Sequence, residues 1–325
     1  MSFWQRKNVL VTGGAGFIGS HLIEMLVQAG SLVRVADNLI NGKLDNLKSC
    51  IDKIEFVNVD LNQFENCLKV TKDMDIVLNL VAKVAGIDFN KKHSGTMFYK
   101  NVLPNLSVLE AARINEAERF LVVSSACVYP RYCTIPTPET EGFKEDPEPS
   151  NFGYGWAKRV LEIQAKAYSD EFDMKIGIVR PYNSYGPRDH FDETIAHVIP
   201  ALIRRVFAGE DPLNVWGDGE QTRAFIYVKD LAQGMMLAAE KYPVPDPLNI
   251  GTEEEIKIKD LVKLIVEISG LKPKIIFDST KPAGQPRRNA DITKAQQKIG
   301  FKANTALKQG LNETIQWYLN NVIKR

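Results

Sequence analysis

The sequence predicts an α/β fold, a doubly wound parallel sheet followed by a smaller C-terminal lobe. Three observations carry that prediction. An apolar run, Val9-Leu10-Val11, leads at once into a glycine-rich turn and then into a segment with helical apolar spacing. Apolar runs go on alternating with helical patterns as far as Arg180. Beyond that point the chain breaks into short elements punctuated by Pro, Gly and charge, such as Trp216-Gly217-Asp218-Gly219 and Tyr242-Pro243-Val244-Pro245-Asp246-Pro247.

The first turn is the most specific of these elements. In Thr12-Gly13-Gly14-Ala15-Gly16-Phe17-Ile18-Gly19, the glycines let backbone amides approach a pyrophosphate at the positive end of the helix that follows. Gly19 also permits close packing of helix on strand. Gly13, Gly16, Phe17, Ile18 and Gly19 are therefore candidate dinucleotide contacts. The second strand, Leu32-Val33-Arg34-Val35-Ala36, ends at Asp37-Asn38. A carboxylate at that spacing suits the adenosine ribose and repels the extra phosphate of NADP, so NAD is the expected cofactor.

Residues 54–59, 76–80 and 120–123 read as further buried parallel strands. Ligands of doubly wound sheets sit at the carboxyl ends of the strands, which adds Asp60, Leu61, Leu80, Ala82 and, after the strand at 175–180, Pro181 to the expected cofactor contacts. A long amphipathic helix spans about 95–115, with Asn101 as one more contact and Pro104 as an expected kink. The 325 residues accommodate a dinucleotide-binding domain over 1–180 and a lobe over 181–325, some of whose segments return to the first domain.

Composition excludes several classes. Lys plus Arg number 41 against 40 for Asp plus Glu, a formal net charge of +1, so no surface for nucleic acid is expected. Residues 1–7 lead straight into the first strand without the shape of a signal peptide, and no apolar run approaches membrane-spanning length, so no membrane association and a cytoplasmic location are expected. Cys50, Cys67, Cys127 and Cys133 lack the paired spacing of a zinc site, and no metal is expected.

Tyr154 and Lys158 stand four apart, on one face of a helix, where the ammonium favours ionisation of the phenol. Taken in order, the glycine turn, Ser125, Tyr154-x-x-x-Lys158, the run from Arg180 to Pro187 and the segment Trp216-Gly217-Asp218-Gly219-x-x-Thr222-Arg223-x-Phe225-Ile226-Tyr227-Val228-x-Asp230 resemble the extended short-chain dehydrogenase/reductase family of nucleotide-sugar epimerases, dehydratases and reductases. The resemblance covers nearly the whole chain and implies a Rossmann-type domain with a substrate-binding lobe. It implies that Ser125 hydrogen-bonds the sugar hydroxyl, that Tyr154 takes its proton, and that Lys158 holds the nicotinamide ribose. It also implies a homodimer formed through the helices at about 95–115 and 154–171.

Two further segments bear on the reaction. Residues 124–130, Ser-Ser-Ala-Cys-Val-Tyr-Pro, resemble the stretch that carries a catalytic cysteine in GDP-fucose synthases and GDP-mannose 3,5-epimerases, which places Cys127 in that role. Residues 186–191 and 196–203 resemble the fucose-synthase stretch, which places His197 as a second acid/base. Once C4 of a sugar is a ketone, the hydrogens on C3 and C5 become acidic, and inversion needs one group to remove a proton and another to return one. The Thr-Asp-Glu triplet of 4,6-dehydratases is replaced by Ser125-Ala126-Cys127, which disfavours dehydration, and the NAD-type turn disfavours a net reductase.

Arg223 and one of Arg287 or Arg288, with Arg287 preferred, resemble the family's diphosphate-gripping arginines, whose planar donors suit phosphate. Asn183, Val198 and Trp216 complete the expected substrate contacts. The sum is an NAD-dependent GDP-sugar 3,5-epimerase-like enzyme. The alternatives are a UDP- or GDP-hexose 4-epimerase that needs only Ser125, Tyr154 and Lys158, a fucose-synthase-like epimerase/reductase, and a noncatalytic NAD-binding sensor.

Overall fold

Short β-branched and leucine-rich runs that are apolar on both faces can only be satisfied by a sheet covered on both sides, and this chain builds one. The computed structural model describes residues 2–193, 196–281 and 285–324. In chain order the first part comprises β1 (Asn8–Thr12), α1 (Phe17–Gln28), β2 (Leu32–Asp37), β3 (Ile54–Asn58), α2 (Phe64–Thr71), β4 (Ile76–Asn79), α3 (Ile87–Lys92), α4 (Ser94–Ile114), β5 (Arg119–Val123), α5 (Phe152–Phe172) and β6 (Lys175–Pro181). There follow β7 (Ser184–Tyr185), α6 (Val198–Phe207), β8 (Leu213–Trp216), β9 (Thr222–Ala224), β10 (Ile226–Tyr227), α7 (Val228–Lys241), β11 (Leu248–Ile250), β12 (Glu255–Lys257), α8 (Ile258–Ser269), β13 (Ile275–Asp278), β14 (Arg287–Arg288), α9 (Thr293–Ile299) and α10 (Leu307–Tyr318).

Seven parallel strands form the main sheet in the order β11-β6-β5-β4-β1-β2-β3. The chain runs outward from β1 in one direction and then returns to continue from β4 in the other. That reversal opens a crevice at the carboxyl ends of β1 and β4, the place where a Rossmann-type sheet binds its ligand. One face is packed by α1 and α7 through Leu22, Ile23, Leu231 and Met235, and the other by α2, α4 and α5 through Val70, Val108, Leu109 and Leu161.

The lobe has its own core, in which Ile203, Leu213, Leu261 and Leu311 are buried together. Its strands are two to four residues long and pair as β10-β7, β12-β9-β14 and β13-β8. Two of the later elements return to the main sheet: β11 is its outermost strand beside β6, and α7 packs on its face. Pro104 lies inside α4 and is buried. No helix among the described residues is long and apolar enough to cross a membrane.

Candidate active site at the carboxyl edge of the sheet

The glycine turn is shaped by close approach. Gly13 has φ +63°, and a Cβ on it would lie 3.1 Å from the Leu80 carbonyl. A Cβ on Gly19 would lie 2.6 Å from the Gly13 carbonyl oxygen, so helix α1 can enter the turn at this angle only with glycine there. At Gly16 the sole neighbour within 4 Å is that same carbonyl, at 3.2 Å, which leaves its outer side open for an approaching pyrophosphate. Phe17 and Ile18 open the first turn of α1.

Around this turn, polar side chains are held by the protein itself. Thr12 donates its hydroxyl to Asn79 Oδ1 at 2.6 Å and accepts the amides of Leu80 and Val81 at 3.1 Å each. Asn79 donates in turn to Asn105 at 2.9 Å. Asn101, expected to face the cofactor, is fully buried and binds both the amide and the carbonyl of Lys83 at 3.0 Å. Its side chain fixes the loop that carries Leu80 and Ala82. Asp37 accepts the Ala15 and Leu39 amides at 3.0 and 2.8 Å, and burial raises its pKa. Asn38 is exposed beside it, while Asp60 and Leu61 follow β3, the leucine buried and the aspartate turned outward to Asn62. These features fit a dinucleotide with free ribose hydroxyls.

The candidate reacting groups converge at the ends of β5 and β6. Ser125 caps a short 3-10 turn over Ala126–Val128, and its hydroxyl accepts the Cys127 amide at 3.1 Å. Tyr154 lies on the first turn of α5, with the Ser125 hydroxyl beside it. Lys158, one turn on, is buried, with its ammonium 5.7 Å from the Tyr154 ring centroid and donating to the Val123 carbonyl at 2.8 Å. Burial lowers the Lys158 pKa to about 8, while the Cys127 and Glu162 charges push it back up.

The expected depression of the Tyr154 pKa is corrected in the chain alone. Burial raises it, the Cys127 charge adds to the rise, and only the Ser125 hydroxyl opposes them. Desolvation of a phenolate outweighs one buried ammonium that is already bonded to a carbonyl.

On the substrate side, the structure separates the two neighbouring arginines. Successive residues of a strand point to opposite faces, so in β14 Arg287 turns outward to pair with Glu255 at 2.8 Å. Arg288 turns inward, donates to the Ala126 carbonyl at 2.7 Å and stands next to Cys127. Of the two candidates, Arg287 is therefore engaged away from the serine turn and Arg288 lies against it. Gly284, which precedes this run, lies outside the described residues.

Arg223, paired in register with Arg288 on β9, is partly buried and donates to the Thr222 carbonyl at 2.7 Å. Asn183 donates to the Ala224 carbonyl at 3.2 Å and so ties β9 to the end of β6, beside Pro181. Val198 and Trp216 are exposed, 43% and 60%. His197, the residue before α6, is exposed at the surface; partial loss of hydration lowers its pKa, and nearby His190 acts in the same direction.

Sequence reading missed the polar column beneath these groups. Glu162, Arg180, Ser124 and Tyr129 are buried and bonded to one another. Its one sequence signal is that Glu162 continues the spacing of Tyr154 and Lys158 along α5.

Comparison with known proteins agrees with this geometry. The chain is 31% identical to GDP-mannose 3,5-epimerase of Arabidopsis thaliana over 99% of its own length and 85% of the relative's. It is 30% identical to GDP-L-fucose synthase of Escherichia coli (strain K12) over 97% and 98%. The crystal structure of UDP-glucose 4-epimerase from Thermotoga maritima superposes with a TM-score of 0.87 at 29% identity, covering 97% of this chain and 99% of that one. The profile of the NAD dependent epimerase/dehydratase family matches residues 9–251. With a Rossmann-type sheet, an open glycine cradle and a Ser-Tyr-Lys cluster above it, the chain belongs to that family, and its cofactor is NAD.

Proposed function

We propose that this protein is a nucleotide-sugar epimerase of the GDP-mannose 3,5-epimerase kind, acting through transient oxidation at C4. One observation carries the reading: a thiol, Cys127, stands beside the Tyr154 and Lys158 pair and against the Arg288 guanidinium. A thiol placed there stands within the same cluster as the groups that act on C4, where it can exchange a proton with a flanking carbon.

NAD, when bound, supplies the hydride acceptor and a positive charge near Tyr154. Gly13, Gly16, Gly19 and Asp37 hold it, with Phe17, Ile18, Asn38, Asp60, Leu61, Leu80, Ala82 and Pro181 lining its path. Ser125 orients the C4 hydroxyl, and Tyr154 receives its proton while Lys158 lowers the cost of the phenolate. With C4 as a ketone, Cys127 removes a proton from a flanking carbon and His197 returns one on the other face; Tyr154 then gives its proton back as C4 is reduced. Arg223 and Arg288 grip the diphosphate and the sugar end, and Asn183, Val198 and Trp216 border the remainder. The apolar groove between α4 and α5, lined by Phe98, Phe152, Trp156 and Val160, is where a second copy would dock in a homodimer.

A second reading has its own support. The superposed Thermotoga protein is a 4-epimerase. A simple 4-epimerase would use Ser125, Tyr154 and Lys158 without Cys127 or His197.

Incubation with GDP-mannose in heavy water separates the two. Deuterium at C3 or C5 of the sugar, lost in Cys127→Ser, is the expected result. Inversion at C4 with no solvent label would establish the simpler reaction.

A further inference from the structure

Beneath the Ser-Tyr-Lys cluster lies a buried ion pair that the proposed chemistry does not itself use. Arg180, at the end of β6, grips Glu162 of α5 in a two-pronged contact, Nε to Oε1 at 2.9 Å and Nη2 to Oε2 at 2.7 Å, with both side chains almost wholly buried. Ser124, the residue before Ser125, donates its hydroxyl to the same carboxylate. The remaining nitrogen of Arg180, Nη1, reaches the Tyr129 hydroxyl at 3.0 Å and the Glu139 carbonyl at 2.7 Å, and Tyr129 donates to Asn249 in the middle of β11. Gly142 is what leaves room for the guanidinium, since a Cβ there would lie 2.5 Å from it.

Burying an ion pair costs desolvation on both partners and rarely adds stability over apolar packing. Its placement is informative. Tyr154, Lys158 and Glu162 recur every fourth residue on one face of α5, and the carboxylate joins that face to the serine turn of β5 and to β6. The ionisable groups facing Lys158 are Cys127 from the serine turn and, from its own helix, Tyr154 and Glu162; β5 offers it the Val123 carbonyl.

We infer that Glu162 is a positioning residue of this site: held by Arg180 and Ser124, its carboxylate locks the Tyr154–Lys158 face of α5 onto the Ser125 turn and provides the counter-charge for the Lys158 ammonium. The inference rests on the proposed roles of Tyr154 and Lys158. Removing the charge leaves burial to act on Lys158 with less opposition, so the ammonium is lost at lower pH and the alkaline limb of turnover moves to lower pH.

The test is a pH titration of the Lys158 Nζ signal in NAD-loaded protein carrying 15N-lysine, assigned with Lys158→Met, alongside kcat and KM. In Glu162→Gln the midpoint should fall by about one unit and kcat about tenfold, with KM within about twofold. A Glu162→Gln protein that retains NAD and native circular dichroism yet keeps the wild-type midpoint and kcat overturns the inference. If that variant does not fold, Glu162→Gln/Arg180→Gln removes both charges together, and Ser124→Ala leaves both in place while cutting the tie to the serine turn. Ser124→Ala should lower kcat several-fold, and an unchanged kcat there overturns the positioning role. The titration needs no substrate, so a wild-type protein that turns over no nucleotide sugar would end the functional reading while the Lys158 shift still decides this one.

Discussion

The dinucleotide edge and the C-terminal lobe meet at one cleft but are built differently. At the edge, Thr12, Asp37, Asn79, Asn101, Asn105 and Lys158 are buried and bonded to backbone or to one another, so folding alone fixes where their neighbours stand. In the lobe, Trp216 and Val198 stand exposed, and the named bond of Arg223 is to the carbonyl next to it in the chain. On the proposed function, the contrast means that the reacting groups are set before a ligand arrives, whereas the grip on the substrate is completed by the ligand. Prearranged groups yield rate, and open side chains yield selectivity.

That difference can be broken at its strongest point first. Tyr154→Phe removes the proposed proton acceptor without altering shape, and kcat should fall by about a thousandfold with bound NAD unchanged. A kcat within tenfold of wild type would show that the edge does not carry the chemistry. Gly19→Ala forces the turn apart where a Cβ would meet the Gly13 carbonyl at 2.6 Å, so NAD retention on gel filtration should drop at least about tenfold, with a lower Tm from the overpacked contact.

The lobe should respond in KM. Arg288→Met should raise KM about 10- to 100-fold, as expected for a lost charged hydrogen bond, while Arg287→Met, already turned to Glu255 in an exposed pair, should change it less than about twofold. Equal effects of the two would erase the inward and outward assignment in β14. Trp216→Ala should be mildest, a rise in KM of about threefold to tenfold from lost stacking, with kcat and NAD content constant.

The contrast also explains what could be read in the sequence. The glycine turn, Asp37 and the pair Tyr154 and Lys158 are local patterns, in which residues a few positions apart are brought together by one turn or one helix. They stand where those patterns put them. The choice between Arg287 and Arg288 depends on the register of a two-residue strand against β9, far away in the chain, which no local spacing encodes. Asn101, expected among the cofactor contacts, has its amide bonded to the Lys83 backbone, a partner that no local spacing reports. The pairing of Glu162 with Arg180 joins a helix to a strand, and the ionisation of Tyr154 depends on burial that a Tyr-x-x-x-Lys spacing does not report.

The central claim is that the hydrogen removed from C4 is returned to the same sugar within one binding event. Feeding GDP-mannose deuterated at C4, with added unlabelled NADPH, and following the label by mass spectrometry and the dinucleotide by absorbance tests it directly. Epimerised product that keeps its C4 deuterium while the NADPH remains unconsumed is the predicted result. Deuterium passing into the free dinucleotide pool, or steady consumption of NADPH, would contradict it.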